Sequence, residues 1–300
     1  MQYLTEIFGY APEDNSNDAK AVRRRYLCPF RGGNIVCDPV NKSSNLIDEK
    51  GRLLLTHQTG ACSVLHKFRG GTEEKPVIIC PYRFLEKNRE GNTIVFKAIK
   101  DKFFGKKNVV FVPEIGLGEF GRADWIICEL KDIKTKEIID YTHLEFQADA
   151  TTNTRELVQC AKDFFDGVDV TKKNYSYGLN SKASIKGSSL QMIEKGVLFK
   201  SLGKKSIWVL QDTLFDILCN IYNIKMFDIT DEECPTDNNL IFCVVKLKKS
   251  GERLNIDAHK FYSSSVEAMQ TAISLKKPID AKIILNAIKE KLEGGQYFTR

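Results

Sequence analysis

The sequence predicts an α/β fold, a mixed central sheet flanked by helices, with a small region at its N-terminal side that something besides apolar burial must hold together. Three observations predict it. From Thr93 onward, short segments rich in Val, Ile, Phe, Trp and Tyr are interspersed with segments of helical spacing. Residues 26–90 differ: Gly and Cys are frequent, the strand-like runs are short and hydrophobic periodicity is poor, so apolar burial alone would not fold them. The whole chain is 42% hydrophobic and 28% charged, which excludes a disordered or fibrous protein. Its 300 residues suffice for one large domain or two smaller ones.

Residues 1–25 open with a short apolar turn and a polar stretch from Pro12 to Asp18, then the basic triplet Arg23-Arg24-Arg25. Such a triplet is most often a solvated face; the other reading is a phosphate contact. A helix over 93–104 follows from Ile94, Val95, Ala98, Ile99 and Phe103 falling on one side. Asn108–Pro113, Ala123–Leu130 and Tyr141–Ala148 read as strands, and 153–165 as a helix carrying Leu157, Cys160, Ala161 and Phe164, capped by Asn153 or Thr154. Thr171 to Gly187, rich in Lys, Ser, Gly and Asn, reads as loop. After it come a helix near Ser189–Lys195, a strand at Ser206–Leu210 and a helix at Asp212–Ile221. Leu240–Lys248 and Arg253–Phe261 form a hairpin turning at Gly251. Helices near Val266–Ser274 and Ile279–Leu292 follow, with Gly294-Gly295 just past the second. The change of character divides the chain into 1–92 and 93–300.

Lys and Arg number 45 against 39 Asp and Glu, a formal charge of +6. So mild an excess permits a nucleic-acid partner without demanding one. No run approaches the ~18 apolar residues of a membrane span. The first residues lack a basic stretch leading into an apolar one, so the expectation is a cytoplasmic protein with no membrane partner. Nine cysteines in a reducing compartment read as thiols or metal ligands rather than disulfides.

The most informative segment is 112–160. Asp124 starts a strand behind the turn Gly118-Glu119-Phe120-Gly121; Glu145 and Gln147 lie in the next strand, across the polar connection Lys131–Glu137. That connection suits an antiparallel hairpin, which sets the two strands side by side. Alternation then points Glu145 and Gln147 one way while Leu144 and Phe146 enter the core. Two acids and an amide at one sheet edge suit Mg²⁺, which takes one or two carboxylates plus water and phosphate oxygens. Held against a phosphodiester, such an ion polarises the phosphoryl oxygen and activates water. A lone strand carboxylate usually caps or faces solvent; here three polar residues fall in phase on adjacent strands. Glu114 is a further candidate for a second-metal ligand or an orienter, and otherwise a turn carboxylate. His143 shares the face of Glu145 and reads more simply as a packed, hydrogen-bonded residue.

Asp124…Glu145-x-Gln147, strand to strand and then helix, resembles the PD-(D/E)xK nuclease core in its variant with Gln last. The resemblance implies that Asp124 and Glu145 bind Mg²⁺. Gln147 stands where the family usually has a Lys that orients or deprotonates water. An amide carries no exchangeable charge, so Gln147 is left to orient water or metal, and the base role passes to metal-bound hydroxide or a neighbouring phosphate. Ala123 stands where the family's Pro usually precedes the Asp.

Cys28, Cys37, Cys62 and Cys80 all fall in the core-poor region, separated by 8, 24 and 17 residues, without a CxxC knuckle. Cys28-Pro29 and Cys80-Pro81 follow short apolar runs; Cys37 and Cys62 follow glycine-bearing turns. Buried structural thiols are the alternative. Cys128, Cys160, Cys219 and Cys243 lie in apolar patterns and read as core, while Cys234 is in an acidic loop. The pattern YLCPFRGGNIVC…GACSV…IICPYRFLE, joined to the Asp/Glu-x-Gln residues, resembles the NotI family of type II restriction endonucleases over roughly 20–215. The resemblance implies an iron held by the four cysteines in a DNA-recognition region over 1–92, with zinc equally allowed by softness. It also implies a nuclease domain over 93–300 that cleaves double-stranded DNA and leaves 5′-phosphate ends.

Lys172-Lys173 through Lys186, with Tyr175 and Tyr177, suits a phosphate-contacting loop with aromatic edges, and equally a solvated loop. Arg31, Arg69 and Arg83 flank the cysteines and are candidates for reading guanine edges. Gln211 is a candidate for the metal-site face or a structural strand-end amide. One catalytic centre per chain cuts one strand, so double-strand cleavage implies a homodimer on a palindromic site. Ile283, Ile284, Ala287, Ile288 and Leu292 form an apolar stripe for the core or for a partner. Two rivals stand: a nuclease of the same core acting in repair or transposition, and a metal-stabilised DNA-binding or regulatory protein with vestigial acids.

Overall fold

The computed structural model describes residues 2–32, 34–37, 58–68, 73–251, 253–275 and 281–294. Arg69, Ile279 and Gly295, singled out above, lie outside them. The N-terminal part holds β1 (Leu4–Ile7), α1 (Asn17–Arg24), β2 (Ala61–Lys67) and β3 (Glu74–Ile78), the strands pairing antiparallel in the order β1-β2-β3. A 3₁₀ turn, Pro81–Leu85, leads to α2 (Ile94–Phe103). Then β4 (Asn108–Gly116), β5 (Arg122–Leu130) and β6 (Ile138–Gln147) run as an antiparallel meander, β5 and β6 joined by the polar 131–137 connection expected of a hairpin.

A crossover returns the chain parallel to β6. It consists of β7 (Thr151–Thr152), α3 (Thr154–Phe165), β8 (Gly178–Leu179) and α4 (Ser181–Ser201), and it delivers β9 (Ser206–Gln211) beside β6. After α5 (Asp212–Tyr222) and β10 (Phe227–Asp228), β11 (Leu240–Ser250) lies parallel to β9, and β12 (Arg253–Ser264) folds back on it. α6 (Val266–Ser274) and α7 (Ala281–Glu293) follow. The large sheet has seven strands in the order β10-β12-β11-β9-β6-β5-β4.

Helices cover both faces of that sheet. Val95 and Ile99 of α2 pack with Ile127, Leu144, Phe146, Val209 and Phe261 on one face. Ile185 and Met192 of α4, with α5 and α6, pack on Trp208, Leu210, Phe242 and Val244 on the other. Burial on both faces explains why β5, β9 and β11 read as nearly continuous apolar runs instead of alternating. The small N-terminal sheet packs Leu4, Ile7, Val64 and Val77 against Leu157, Val158 and Ala161 of α3. Gln211 links it to the large sheet, its amide oxygen accepting from the Ile78 N–H (2.8 Å) and its nitrogen donating to the Pro76 carbonyl (2.8 Å). That is the structural reading of Gln211. α7 leaves Ile283, Ile284, Ile288 and Leu292 half-exposed. Among the described residues, no helix is long and apolar enough to cross a membrane.

Three expectations are corrected. Helix α4 begins at Ser181, inside the stretch expected to be loop, and runs well past Lys195. Its buried stripe is Ser181, Ile185, Ser188, Met192, Lys195 and Phe199, a helical repeat half of whose members are polar and therefore silent in a hydrophobic pattern. Tyr175 and Tyr177 offer no aromatic edges to a ligand: both are buried, Tyr175 donating to Asp163 (2.8 Å) and Tyr177 to the carbonyls of Tyr3 and Leu65. Lys172 and Lys173 are paired with Asp169 and Asp163. Arg83 cannot read a base, being 1% exposed and bonded to Glu6, Glu86 and the Leu254 carbonyl.

Candidate metal and catalytic site

Because Leu144 and Phe146 take the α2 side of β6, the residues alternating with them face α4. Glu145 and His143 are buried there, and Gln147 is half-buried at the strand end. Antiparallel pairing with β5 brings the start of that strand alongside. The Phe146 N–H donates to Asp124 Oδ2 (2.9 Å), and the Asp124 N–H donates to Glu145 Oε1 (3.3 Å). Asp124 and Glu145 therefore lie side by side, as an antiparallel hairpin places them.

Their electrostatics separate them. Burial, then the neighbouring charge of Glu145, pushes the Asp124 carboxyl up to about 6. Burial would raise Glu145 too, but hydrogen bonds from His143 and Lys195 outweigh it and hold Glu145 below the ordinary carboxylate range. Of the coupled pair, Asp124 takes the first proton.

Two supports hold Glu145, of which only His143, hydrogen-bonded on the same face as its phase implied, was legible in the sequence. The first is a relay from β9. Trp208 Nε1–H donates to Ser206 Oγ (3.0 Å), Ser206 Oγ bonds His143 Nδ1 (2.8 Å) and His143 Nε2 bonds Glu145 Oε1 (3.0 Å). Burial pushes His143 below its ordinary value and keeps the imidazole neutral. A carboxylate only accepts, so Nε2 carries the proton and Nδ1 accepts the Ser206 hydroxyl. The second support is Lys195. Its ammonium, on a residue only 6% exposed, donates to Glu145 Oε1 and to the Arg122 carbonyl (2.7 Å). Gly196 next to it allows α4 this close: a Cβ there would lie 3.0 Å from Leu240 Cδ2 and 3.1 Å from Val266 Cγ2. Further along the same face, the buried Asp149 accepts from the hydroxyls of Ser181 and Ser184, tying the start of α4 to the end of β6.

The other candidates contribute less. Gln147 donates its amide to the Ala148 carbonyl (2.8 Å) and makes no bond to Asp124 or Glu145. Glu114 lies level with Asp124, between the Pro113–Trp125 and Ile115–Ala123 pairs, with φ +53°. Its side chain is two-thirds exposed, 3.8 Å from Arg122, and stays outside the Glu145 network.

Two neighbouring carboxylates fit an oxygen-seeking divalent cation such as Mg²⁺, whose charge would offset the burial and the repulsion that raise Asp124.

The four N-terminal cysteines also gather. An isolated bridge between Leu27 and Val36 sets Cys28 and Cys37 at the neck of one loop, and the Ile79 N–H donates to the Cys62 carbonyl beside Cys80. Cys28 and Cys62 pack together with Phe30, against Cys37. Burial pushes the Cys62 thiol well up, and the nearby Cys80, Glu6, Cys37 and Cys28 add to the rise. Its Sγ–H donates to the Gly60 carbonyl (3.3 Å). Thiols gathered in this way are the donor type that a soft, thiolate-binding ion takes. Among the described residues, no three or more His, Cys, Asp or Glu side chains stand in metal-holding geometry.

No protein-family model matches the chain, and no curated protein matches it.

Proposed function

We propose that this chain is a Mg²⁺-dependent endonuclease that hydrolyses DNA phosphodiesters, resembling the NotI family of site-specific restriction enzymes. One observation carries the reading: two carboxylates from adjacent strands lie side by side, one held low by hydrogen bonds from His143 and Lys195 and the other pushed up by burial and then by its neighbour. Perturbed carboxylates converging in this way are a mark of functional sites. The order of elements also supports a PD-(D/E)xK core: Asp124 starts the second strand of a meander, Glu145 lies near the end of the third, and helices lead to a parallel fourth strand.

In this reading Asp124 and Glu145 hold Mg²⁺, which supplies Lewis acidity and an activated water. Glu145 is fixed by His143 through Ser206 and Trp208, as metal-binding carboxylates are oriented by their own hydrogen-bond partners. Gln147, which holds or releases no proton, orients water. Cleavage leaves 5′-phosphate ends, and a homodimer cuts both strands of a palindromic site. Cys28, Cys37, Cys62 and Cys80 hold iron or zinc, bracing a recognition region whose apolar core is small. The protein acts in the cytoplasm.

The test is incubation of purified protein with unmethylated plasmid or phage DNA, with Mg²⁺ or EDTA, followed by sequencing of the ends. The expected result is discrete Mg²⁺-dependent fragments sharing an end sequence, lost in Asp124→Ala with DNA binding retained. Binding without any cleavage would favour the non-catalytic DNA-binding reading.

A further inference from the structure

We propose that Lys195 works as an exchangeable cation of the carboxylate pocket: it holds Glu145 when no divalent ion is present, yields that oxygen to the ion, and stays beside the scissile phosphate through its second bond, to the Arg122 carbonyl. The inference rests on the nuclease reading and deepens it. Three observations carry it. Lys195 is a buried lysine whose ammonium bonds an oxygen of a candidate metal ligand. Its other acceptor is the backbone oxygen of Arg122, two residues before Asp124, and a carbonyl keeps its acceptor strength whatever occupies the carboxylates. Gln147, in the place expected for a lysine, has its amide turned to Ala148 and brings no charge.

The physics follows from competition for one atom. An ammonium and a divalent ion cannot both sit at full strength on Glu145 Oε1, so each weakens the other's hold. Once displaced from Glu145, a lysine tethered only to its backbone would swing to solvent. The Arg122 bond and the close seating of α4 at Gly196 prevent that. The ammonium then presents a fixed positive charge where negative charge grows on the attacked phosphoryl oxygens, and a positive charge preorganised in a buried pocket acts more strongly than one in water. Lys195 is thus delivered from the helix α4 rather than from position 147 of the strand β6, where the sequence pattern would place the charge.

The experiment compares wild type, Lys195→Met and Lys195→Arg by Ca²⁺ calorimetry without DNA and by single-turnover cleavage at saturating Mg²⁺. Lys195→Met is expected to bind Ca²⁺ about tenfold more tightly and to cleave roughly a hundredfold more slowly even at saturating metal. Lys195→Arg is expected to recover part of the cleavage and the weaker Ca²⁺ binding. A lysine that is only a structural counter-ion gives tighter Ca²⁺ binding with full cleavage at saturating Mg²⁺, and that result overturns the proposal. So does unchanged Ca²⁺ affinity. In ¹⁵N-lysine-labelled wild type, the Lys195 ammonium signal should shift with Ca²⁺; an unmoved signal in a protein that binds Ca²⁺ also refutes the exchange, without any variant. A wild type that binds no divalent ion and cuts no DNA sinks the nuclease reading itself, whereas a wild type that does both leaves the variants to judge Lys195 alone.

Discussion

Asp124→Asn should stabilise the metal-free protein at neutral pH while abolishing cleavage. Asp124 is ordinarily 3.8 and is pushed to about 6 by burial and by Glu145. That rise corresponds to about 3 kcal/mol against the ionised form in the folded state. The folded value lies above the unfolded one, so the stability linked to this group is fully present below pH 3.8 and is lost as pH rises through about 6. Asparagine keeps an oxygen to accept from the Phe146 N–H and offers Glu145 a donor in place of a like charge. The variant's advantage should therefore grow from near its baseline at pH 4 to about 3 kcal/mol more at pH 7 to 8. Urea denaturation in EDTA across that range measures it. Saturating Ca²⁺ should close the gap by stabilising wild type alone, since a bound cation removes the repulsion. An advantage that is independent of pH, or a variant less stable at pH 8 than at pH 4 relative to wild type, would refute the reasoning.

Other outcomes follow from the same structure. Arg83→Met should cost about 3–5 kcal/mol in chemical denaturation, because Glu6, 1% exposed, is left charged without its partner. Cys62→Ser should lose the iron or zinc that elemental analysis is expected to find in the wild type; a wild type free of both metals refutes the four-cysteine site. Gly196→Val should cost about 1–3 kcal/mol by driving a side chain into Leu240 and Val266, and should slow cleavage by displacing Lys195. Urea titration and the cleavage assay read the two effects separately, and normal activity in a destabilised variant would show that the seating of α4 does not set the site.

Much of the fold was legible because apolar spacing is a local property. Val266–Ser274 is a helix as its spacing required, and the β11–β12 hairpin turns at Gly251. The β5–β6 hairpin was legible as well, because the polar 131–137 connection suits one, whereas the pairing of β4 with β5 carried no such signal. Where the pattern misled, polar side chains had been buried. α4 presents Ser181, Ser188 and Lys195 inward, and Tyr175 and Tyr177, among lysines in sequence, turn into the core around α3. Arg83 looked like a surface arginine because its partners Glu6 and Leu254 are 77 and 171 residues away along the chain.

The sequence by itself determined the α/β class, the phase that puts Glu145 and Gln147 on one side of their strand, and the concentration of four cysteines in a region with little apolar core. Tertiary structure alone decided which charged and polar groups act on Glu145. Lys195 lies 50 residues from it, and Ser206 lies 63 residues from His143, so no local period relates them. They meet because β9 pairs parallel to β6 and α4 crosses the same face, and a buried carboxylate holds its charge only where such groups converge on it.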